Sequence, residues 1–471
     1  MNLIRPASCD GSDTSSKTCR FKLRAAFLSG AVICGVAGAV TVHAQTLEEA
    51  LANAYLTNPG LQATRAELRA TDETVNQALS GWRPNVEFST SAGLDRVETN
   101  SEDFGSRGLR KRKSGGIVVK QNLYSGGQTT AETKQREYEV RAKRAELREF
   151  EQQVLLYAAT AYINVVRDQA VVELQENNEK ILLRQLEATR DRFTVGEVTR
   201  TDVSQAEARL ARAKADRIQA EGDLENSRTN FERVVGMPPT QLNAPDLKHQ
   251  LPETLEGAIS IASKENPSVV SAQFVEKAAQ KFVRRVTGEL LPDLSLEGTL
   301  RKSEDESSAG STREDASILA TLTIPLYQQG AVMSRVREAK QEAAQRRLEY
   351  EDDRRVAIES TRTAWEDLQT SRARIEAFKV EIKSSDIALE GVRQEANVGS
   401  RTVLDVLDAE QELLDAQVNL VRAQRDEFVA ATELAAAVGK LTAKEYNLEV
   451  DYYDETDHYN KVRDMFYGLG K

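Results

Sequence analysis

The sequence predicts a mainly α-helical, internally duplicated protein with long antiparallel coiled-coil hairpins and a smaller part made of membrane β-strands. Three observations predict this fold class. Segments of the sequence recur in matching order, two long stretches contain no proline, and four short segments alternate apolar and polar residues. Proline-free stretches permit uninterrupted helices, and period-two alternation is typical of half-buried strands.

The duplication is visible as segments that recur in the same order. The matches are 46–59 with 254–267, 123–127 with 326–330, and 195–196 with 398–399. Such a repeat builds the same structural unit twice. We therefore expect a first structural repeat over 45–240, a second over 241–440, and an acidic, tyrosine-rich C-terminal segment over 441–471.

The first residues have the pattern of a secretory leader. Basic residues precede an apolar run over 25–42, and a small-residue cleavage site ends at Ala44. This pattern predicts a signal peptide over 1–44. A membrane anchor is the alternative, but the run is rich in Gly and Ala and the cleavage site follows it.

The composition argues against several kinds of site. All three cysteines, Cys9, Cys19 and Cys34, lie in the leader, so the processed chain needs neither disulfides nor thiolate ligands. The net charge of −11 becomes more negative without the basic leader, which disfavours nucleic acid as a partner. The remaining histidines, His249 and His458, lie far apart, and no phosphate-binding or nucleophile motif accompanies them. We therefore predict no cofactor, no metal and no catalysis.

The placement of the ten prolines predicts two very long helices. No proline occurs between Pro84 and Pro238, and none follows Pro325. A proline inside a helix costs about 3 kcal/mol. We therefore predict one helix over 128–193 and its counterpart over 330–397, each roughly 100 Å long at about 1.5 Å per residue.

Each long helix is followed by a shorter one with a coiled-coil seam. Apolar residues recur in register with a seven-residue repeat at Val203, Leu210, Leu224 and Phe231 in the first copy, and at Val406, Leu413, Leu420 and Leu434 in the second. A column of mostly alanine runs beside them. A sustained heptad predicts close packing of two helices. Each copy should therefore form an antiparallel hairpin, over 128–236 and 330–438, with a tip at Gly196 or Gly399.

Four segments between the helices have the period of β-strands. They are 85–94, 117–124, 293–301 and 317–326, in two groups at about 84–125 and 292–327. Their charged residues all fall on the polar side, as a lipid-facing strand requires, because a basic residue facing mid-bilayer costs about 2–4 kcal/mol. A half-buried soluble sheet would alternate in the same way, and the predicted leader favours the membrane. Gln121 breaks the apolar side of its segment.

Four strands are too few for a membrane barrel. Sheet edges cannot stay unpaired in hydrocarbon, and the smallest barrels have about eight strands. Several copies must therefore contribute four strands each to one barrel. The charged, polar segments 95–113 and 302–315 are predicted as outer loops, with the helices on the opposite side.

With these features, the chain resembles the TolC family of outer-membrane efflux proteins. The most specific match is the segment Val398–Ala409, and the doubled Thr-Leu and Asn-Pro pattern supports it. The resemblance implies a homotrimer in the outer membrane of a Gram-negative bacterium, with a twelve-strand barrel continued by an α-helical tunnel through the periplasm. It also implies export without chemistry, together with a periplasmic adaptor protein and an inner-membrane RND or ABC transporter. The segment over 441–471 would join an equatorial collar around the helices.

Asp405 and Asp408 are the candidate residues of a tunnel entrance. They lie three positions apart on a predicted helix, so they share a face. The resemblance implies that they line the constricted inner end of the tunnel, where a ring of carboxylates would attract cations. Asp405 can equally be a helix-start residue below Thr402, and both interpretations stay open at this point.

The resemblance also implies a latch and a docking surface. Arg401 would tie the closed entrance to a neighbouring hairpin through Thr201 and Asp202, and a solvated surface arginine is the alternative. Ala396 stands where the family often has a tyrosine, so closure would rest on charge pairs. The hairpin tips would dock the adaptor, or are bare turns, and their residues are Val195, Gly196, Glu197, Val398, Gly399 and Ser400.

Two other classes of function compete with export. A structural or adhesive trimeric coiled-coil protein of the outer membrane would need a passenger domain outside the cell, and the predicted outer loops are too short to provide one. A soluble coiled-coil scaffold would contain no barrel and would fractionate with the soluble periplasm.

Overall fold

The structure is a computed structural model that describes residues 45–98, 107–245, 251–306 and 310–468. The predicted signal peptide over 1–44 lies outside these residues. The helices are α1 (Leu47–Thr57), α2 (Pro59–Leu79), α3 (Gln128–Thr194), α4 (Arg200–Val235), α5 (Leu255–Glu265), α6 (Pro267–Gly288), α7 (Ala331–Asn397), α8 (Val403–Ala437) and α9 (Asp457–Val462). The strands are β1 (Asn85–Glu98), β2 (Arg107–Ser125), β3 (Asp293–Glu304) and β4 (Thr312–Thr323). A helix pair, a strand pair and a helical hairpin thus occur twice in the same order.

Both copies begin with a pair of helices that turn at an Asn-Pro step. Asn58 caps α2 by accepting a hydrogen bond from the Leu61 amide at 3.1 Å, and Asn266 caps α6 by accepting one from the Ser268 amide at 3.0 Å. A proline follows each asparagine at the first helical position, where its missing N–H has no intrahelical partner to lose. The repeated sequence therefore produces the same local turn twice.

The two long helices are continuous. α3 and α7 contain 67 residues each, which corresponds to a length of roughly 100 Å. Each begins after a glycine in the left-handed conformation, Gly127 or Gly330. Among the described helices, none combines the length and the apolar composition needed to cross a membrane.

The shorter helices pack along the long ones through the predicted seam. Phe231 of α4 and Leu434 of α8 have no exposed surface. The buried alanines of the neighbouring column are Ala206, Ala213 and Ala220 in α4 and Ala416, Ala423 and Ala430 in α8. Arg217 interrupts the apolar column, and its Nε lies 2.6 Å from a carboxylate oxygen of Glu179 in α3. The prediction of a mainly helical fold built on long antiparallel hairpins is confirmed.

A buried core in the middle of the molecule joins the start of the chain to the first hairpin. Tyr162 of α3 is buried with its ring centroid 6.3 Å from that of Phe231. Its hydroxyl lies 3.0 Å from the carbonyl oxygen of Gln45 and 2.9 Å from that of Asn243. Burial raises the pKa of Tyr162 to about 12, so the hydroxyl keeps its proton and donates. One side chain therefore contacts the start of the first copy and the segment that follows its end.

The described part of the C-terminal segment packs against this middle region. Leu441, Ala443 and Leu448 are buried in the core that also contains Tyr162. Farther along, Nδ1 of His458 in α9 lies 3.2 Å from Oδ2 of Asp72 in α2. The segment therefore packs against both a short helix and a long one.

The four strands form one antiparallel sheet in the order β1-β2-β3-β4. The central pair β2–β3 joins the two copies, with Ile117 opposite Leu300. In the described residues, β1 and β4 each pair with one strand, so both are edges. A β-bulge lies between Asn122 and Tyr124, beside Gln121, whose amide donates to the Trp82 carbonyl oxygen at 2.8 Å. The residue that broke the apolar alternation therefore lies where the pairing changes register.

The prediction of outer loops over 95–113 and 302–315 was wrong for most of these residues. Strand pairing includes 95–98, 107–113, 302–304 and 312–315, for example at Asp95 opposite Arg110 and at Lys302 opposite Glu314. The predicted loop residues 99–106 and 307–309 lie outside the described residues. Cross-strand charge pairs support the extension, since Nζ of Lys302 lies 2.8 Å from a carboxylate oxygen of Glu314. A ladder needs backbone hydrogen bonds and not apolar side chains, so the hairpins extend beyond the apolar band.

β4 also begins and ends earlier than the segment 317–326. Its last residue is Thr323, two positions before Pro325. Proline lacks the N–H that a ladder can use, and it therefore weakens the pairing of a strand that reaches it.

Gly439 provides a test of how the end of α8 packs against α5. Its φ is +81°, and a Cβ at this position would lie 2.8 Å from the carbonyl oxygen of Glu265. Gly399 has the same φ and no atom within 4 Å of an added Cβ. Both substitutions by alanine carry the left-handed strain of about 1–2 kcal/mol, but only Gly439→Ala adds a backbone clash. We expect Gly439→Ala to lower the thermal unfolding temperature more than Gly399→Ala in a circular-dichroism melt. Equal shifts would contradict the close approach.

Candidate functional site

The candidate site lies where each long helix turns into the shorter one. In both tips a glycine in the left-handed conformation ends the long helix, with φ +84° at Gly196 and +81° at Gly399. Hydrogen bonds close each turn, from the Glu197 amide to the Arg192 carbonyl at 2.9 Å and from the Ser400 amide to the Glu395 carbonyl at 3.0 Å. Such bonds satisfy the carbonyls at a helix end.

The residues at the apex of each tip point outward. Val195 is 71% exposed and Val398 is 81% exposed. Two apolar side chains therefore stand in solvent at equivalent positions of the two hairpins. All six residues predicted to form the docking tips lie in these turns, with equivalent backbone geometry in the two copies.

The shorter helices both begin with a reciprocal cap. At α8, the Thr402 amide and hydroxyl donate to Oδ2 of Asp405 at 2.9 Å and 2.8 Å, and the Asp405 amide donates to the Thr402 hydroxyl at 3.2 Å. Thr199 and Asp202 make the same arrangement at α4. These hydrogen bonds from Thr402 lower the pKa of Asp405. Asp405 is therefore a helix-start residue, and it caps α8 through one of its two carboxylate oxygens.

Arg401 contacts its own tip. Its Nε lies 2.9 Å from a carboxylate oxygen of Glu395, and both side chains are about half exposed. Thr201 lies exposed on the first turn of α4, and Asp202 belongs to the cap of that helix. A contact of Arg401 with Thr201 and Asp202 of a neighbouring hairpin stays a prediction.

Ala396 lies inside its own hairpin. It is 8% exposed and belongs to a small buried cluster with Leu389 and Val406. A small side chain at this position allows α7 and α8 to pack closely beside the turn. The position therefore contributes to the seam of the second hairpin.

Asp408 forms an ion pair across the two hairpins. A carboxylate oxygen of Asp408 in α8 contacts the guanidinium of Arg209 in α4. Arg209 was not among the residues predicted from the sequence. The sequence does contain a signal for this residue. When the two copies are aligned at Gly196 and Gly399, Arg209 is equivalent to Glu412. The two copies therefore carry opposite charges at this position.

An apolar cluster lies next to this ion pair and also joins the two hairpins. Its buried members are Leu182, Leu186, Ala206, Leu210 and Ala213 from the first hairpin and Val403 and Leu407 from the second. Leu407 is 2% exposed. The neighbouring tips of one chain are thus held by apolar contact as well as by charge. The described residues contain no group of three or more side chains positioned to hold a metal ion.

Comparison with known proteins identifies the family. The family described as outer membrane efflux protein matches residues 47–237 and 258–440 of this chain. The two matched ranges include both hairpins and both tips. The chain belongs to the outer membrane efflux protein family. The resemblance carried by Val398–Ala409 is therefore confirmed.

Relatives and solved structures agree with this assignment. The outer membrane efflux protein BepC of Brucella suis biovar 1 is 35% identical over 463 residues, which cover 97% of this chain and 98% of BepC. The outer membrane protein TolC of Escherichia coli is 25% identical over 418 residues, which cover 86% of this chain and 84% of TolC. The crystal structure of the outer membrane protein VceC from Vibrio cholerae has a similar fold, with a TM-score of 0.74 at 19% identity over 83% of this chain and 96% of that one.

The family membership decides between the classes of function considered from the sequence. The chain is an outer-membrane efflux channel protein, and the alternative of a structural or adhesive protein without transport is not supported. The relatives are named as efflux and outer membrane proteins and not as enzymes.

The cap at the start of α8 can be tested by hydrogen exchange. Because Thr402 lowers the pKa of Asp405, the cap is complete above the ordinary pKa of aspartate and is lost as the pH falls through the lowered value. At pH 7 we expect Asp405→Asn to accelerate amide exchange in the peptide over 400–408, and the difference from wild type should disappear in acid. Glu412→Gln, an exposed carboxylate two turns further along α8, is the control. Equal exchange in both variants at pH 7 would exclude the capping role.

Proposed function

We propose that three copies of this chain form one channel through the outer membrane. The observation that carries the proposal is a four-stranded sheet whose two outer strands, β1 and β4, each have one partner in the described residues. An edge strand in hydrocarbon needs a second partner for its N–H and C=O groups. Pairing of β4 with β1 of the next copy supplies that partner, and three copies close a barrel of twelve strands.

Exposed apolar side chains on the sheet support the membrane location of this barrel. Ile318 is 83% exposed, Phe88 is 71% exposed and Val86 is 63% exposed. A large apolar surface exposed in water is unfavourable, at about 25 cal/mol per Å². Lipid chains around the barrel would remove these side chains from water, which agrees with membership of the outer membrane efflux protein family.

The helical hairpins then continue the barrel as a tunnel. α3 and α7 extend roughly 100 Å from the sheet, and three copies would provide twelve helices around a common axis. Cargo would pass from the periplasm, or from the cytoplasm through an attached pump, to the outside. The cargo would be small molecules, proteins or both, and the word efflux in the names of BepC and its family supports export. No step of this passage requires a reaction, so the chain would act without catalysis or a cofactor.

The tips of the hairpins would form the inner end of this tunnel. Val195, Gly196 and Glu197 of one tip, with Val398, Gly399 and Ser400 of the other, would dock a periplasmic adaptor that connects an RND or ABC transporter of the inner membrane. Exposure of the two valines and the equivalent geometry of the two turns support this role. Three copies would offer six similar positions.

Asp405 and Asp408 would form the charged entrance of the tunnel. Both lie within two turns of the tip of α8, and threefold symmetry would place six carboxylates around the opening. Arg401 would latch the closed entrance by leaving its partner Glu395 and binding Thr201 and Asp202 of a neighbouring hairpin. Rings of carboxylates favour cations in pores.

Conductance and stoichiometry test the channel itself. We expect the purified, processed protein to be a trimer in detergent by native mass spectrometry, and to form ion-conducting channels in planar bilayers. A refolded sample that stays monomeric provides the matched control and should not conduct. Conductance by the monomer would refute the shared barrel.

Ion selectivity tests the entrance. We expect the double variant Asp405→Asn/Asp408→Asn to lose much of the cation preference of the wild-type channel, measured as the reversal potential in a salt gradient. Glu207→Gln is the control, because this exposed carboxylate pairs with Arg190 inside the first hairpin. A reversal potential that changes equally in both proteins, or in neither, would exclude a carboxylate ring at these positions.

A further inference from the structure

We propose that Arg209 is a gating and selectivity residue of this channel, because its guanidinium both ties α4 to α8 and cancels the charge of Asp408 while the two hairpins stay together. The proposal rests on the proposed channel function. It assigns to Arg209 a role that differs from that of Arg401, because Arg401 contacts Glu395 within its own tip.

The position of the ion pair makes it a link between hairpins. Arg209 lies near the start of α4, and Asp408 lies in the second turn of α8. The side chain of Arg209 is 29% exposed and that of Asp408 is 56% exposed. The pair therefore lies at the surface of the contact between the two helices, where movement of one tip away from the other must break it.

The neighbouring apolar cluster holds the two charged groups in place. Leu210, which follows Arg209, and Leu407, which precedes Asp408, belong to the same buried cluster. An isolated surface ion pair loses most of its attraction to the entropy of two long side chains and to solvent. Here the backbone of each partner is already positioned by a buried neighbour, so less freedom is lost when the pair forms.

The ion pair also changes the charge of the proposed entrance. The carboxylate of Asp405 accepts hydrogen bonds from uncharged groups of Thr402, whereas the carboxylate of Asp408 contacts a cation. In a closed trimer, Arg209 would therefore offset three of the six entrance carboxylates. Separation of the hairpins would release Asp408, so the open entrance would select for cations more strongly than the closed one.

The two copies differ at these positions, so the contact forms in only one combination of hairpins. The residue equivalent to Asp408 in the first copy is Gln205, and the residue equivalent to Arg209 in the second copy is Glu412. At these positions the basic residue therefore lies on the first hairpin, and the acidic residue that it contacts lies on the second. A duplicated chain that retained identical tips could not form this pair.

Single-channel recording of Arg209→Gln, Asp408→Asn and the charge-exchanged double variant Arg209→Asp/Asp408→Arg tests the proposal. Arg212→Gln is the matched control, because Arg212 lies one turn further along α4 and pairs with Asp216 of the same helix at 3.7 Å. Recordings are made at about 0.1 M KCl, where the Debye length of about 10 Å preserves the interaction, and repeated at about 1 M, where screening weakens it.

We expect Arg209→Gln and Asp408→Asn to raise the probability of the open state by about two- to fivefold for each pair lost. Their effects on cation preference should be opposite, with an increase in Arg209→Gln and a decrease in Asp408→Asn. The charge-exchanged variant should recover the closed state. Arg212→Gln should resemble wild type in both measurements.

Hydrogen exchange of the peptides over 203–212 and 403–412 provides a readout that does not depend on conduction. Faster exchange in Arg209→Gln and Asp408→Asn than in Arg212→Gln, with protection restored by charge exchange, would support the link. Exchange equal to that of Arg212→Gln would overturn it, as would equal gating in conducting channels. Absence of conductance in wild type would refute the channel and leave this exchange result to decide the link.

Discussion

The incomplete sheet is the constraint on which the rest of the structure depends. Backbone N–H and C=O groups at the edges of β1 and β4 need partners, and lipid cannot supply them. The exposed apolar side chains of the sheet need an environment without water. Both requirements would be met in the proposed barrel shared by several copies of the chain. The long helices follow the sheet closely in sequence, because α3 begins three positions after the end of β2 and α7 begins eight positions after the end of β4.

Duplication provides the helical part with two similar but unequal hairpins. Capping, glycine turns and the buried seam recur in both copies, because the residues that produce them recur. Some of the residues that differ lie where the two hairpins meet. Arg209 and Asp408 are such residues, whereas Arg401 contacts a glutamate of its own tip. The features that stabilise each hairpin are therefore shared by the copies, and the proposed control of the entrance would depend on residues that differ between them.

Local signals predicted most of the secondary structure. Proline-free stretches located α3 and α7 to within one residue, and Thr402 with Asp405 three positions later indicated the start of α8. Strand ends were predicted less well, because cross-strand ladders extend wherever two backbones can pair, as at Asp95 and Lys302. Gln121 appeared as a defect in the alternation, and the bulge beside it explains why.

The sequence by itself determined the repeat, the long helices, the caps and the glycine tips, because each depends on residues within a few positions of one another. It also carried the family resemblance through Val398–Ala409. Only the tertiary structure decided which charges meet. Asp408 and Arg209 are 199 positions apart, and their contact depends on how two hairpins pack through Leu210 and Leu407. Periodicity describes one helix at a time, so it cannot say which face of a second helix lies opposite.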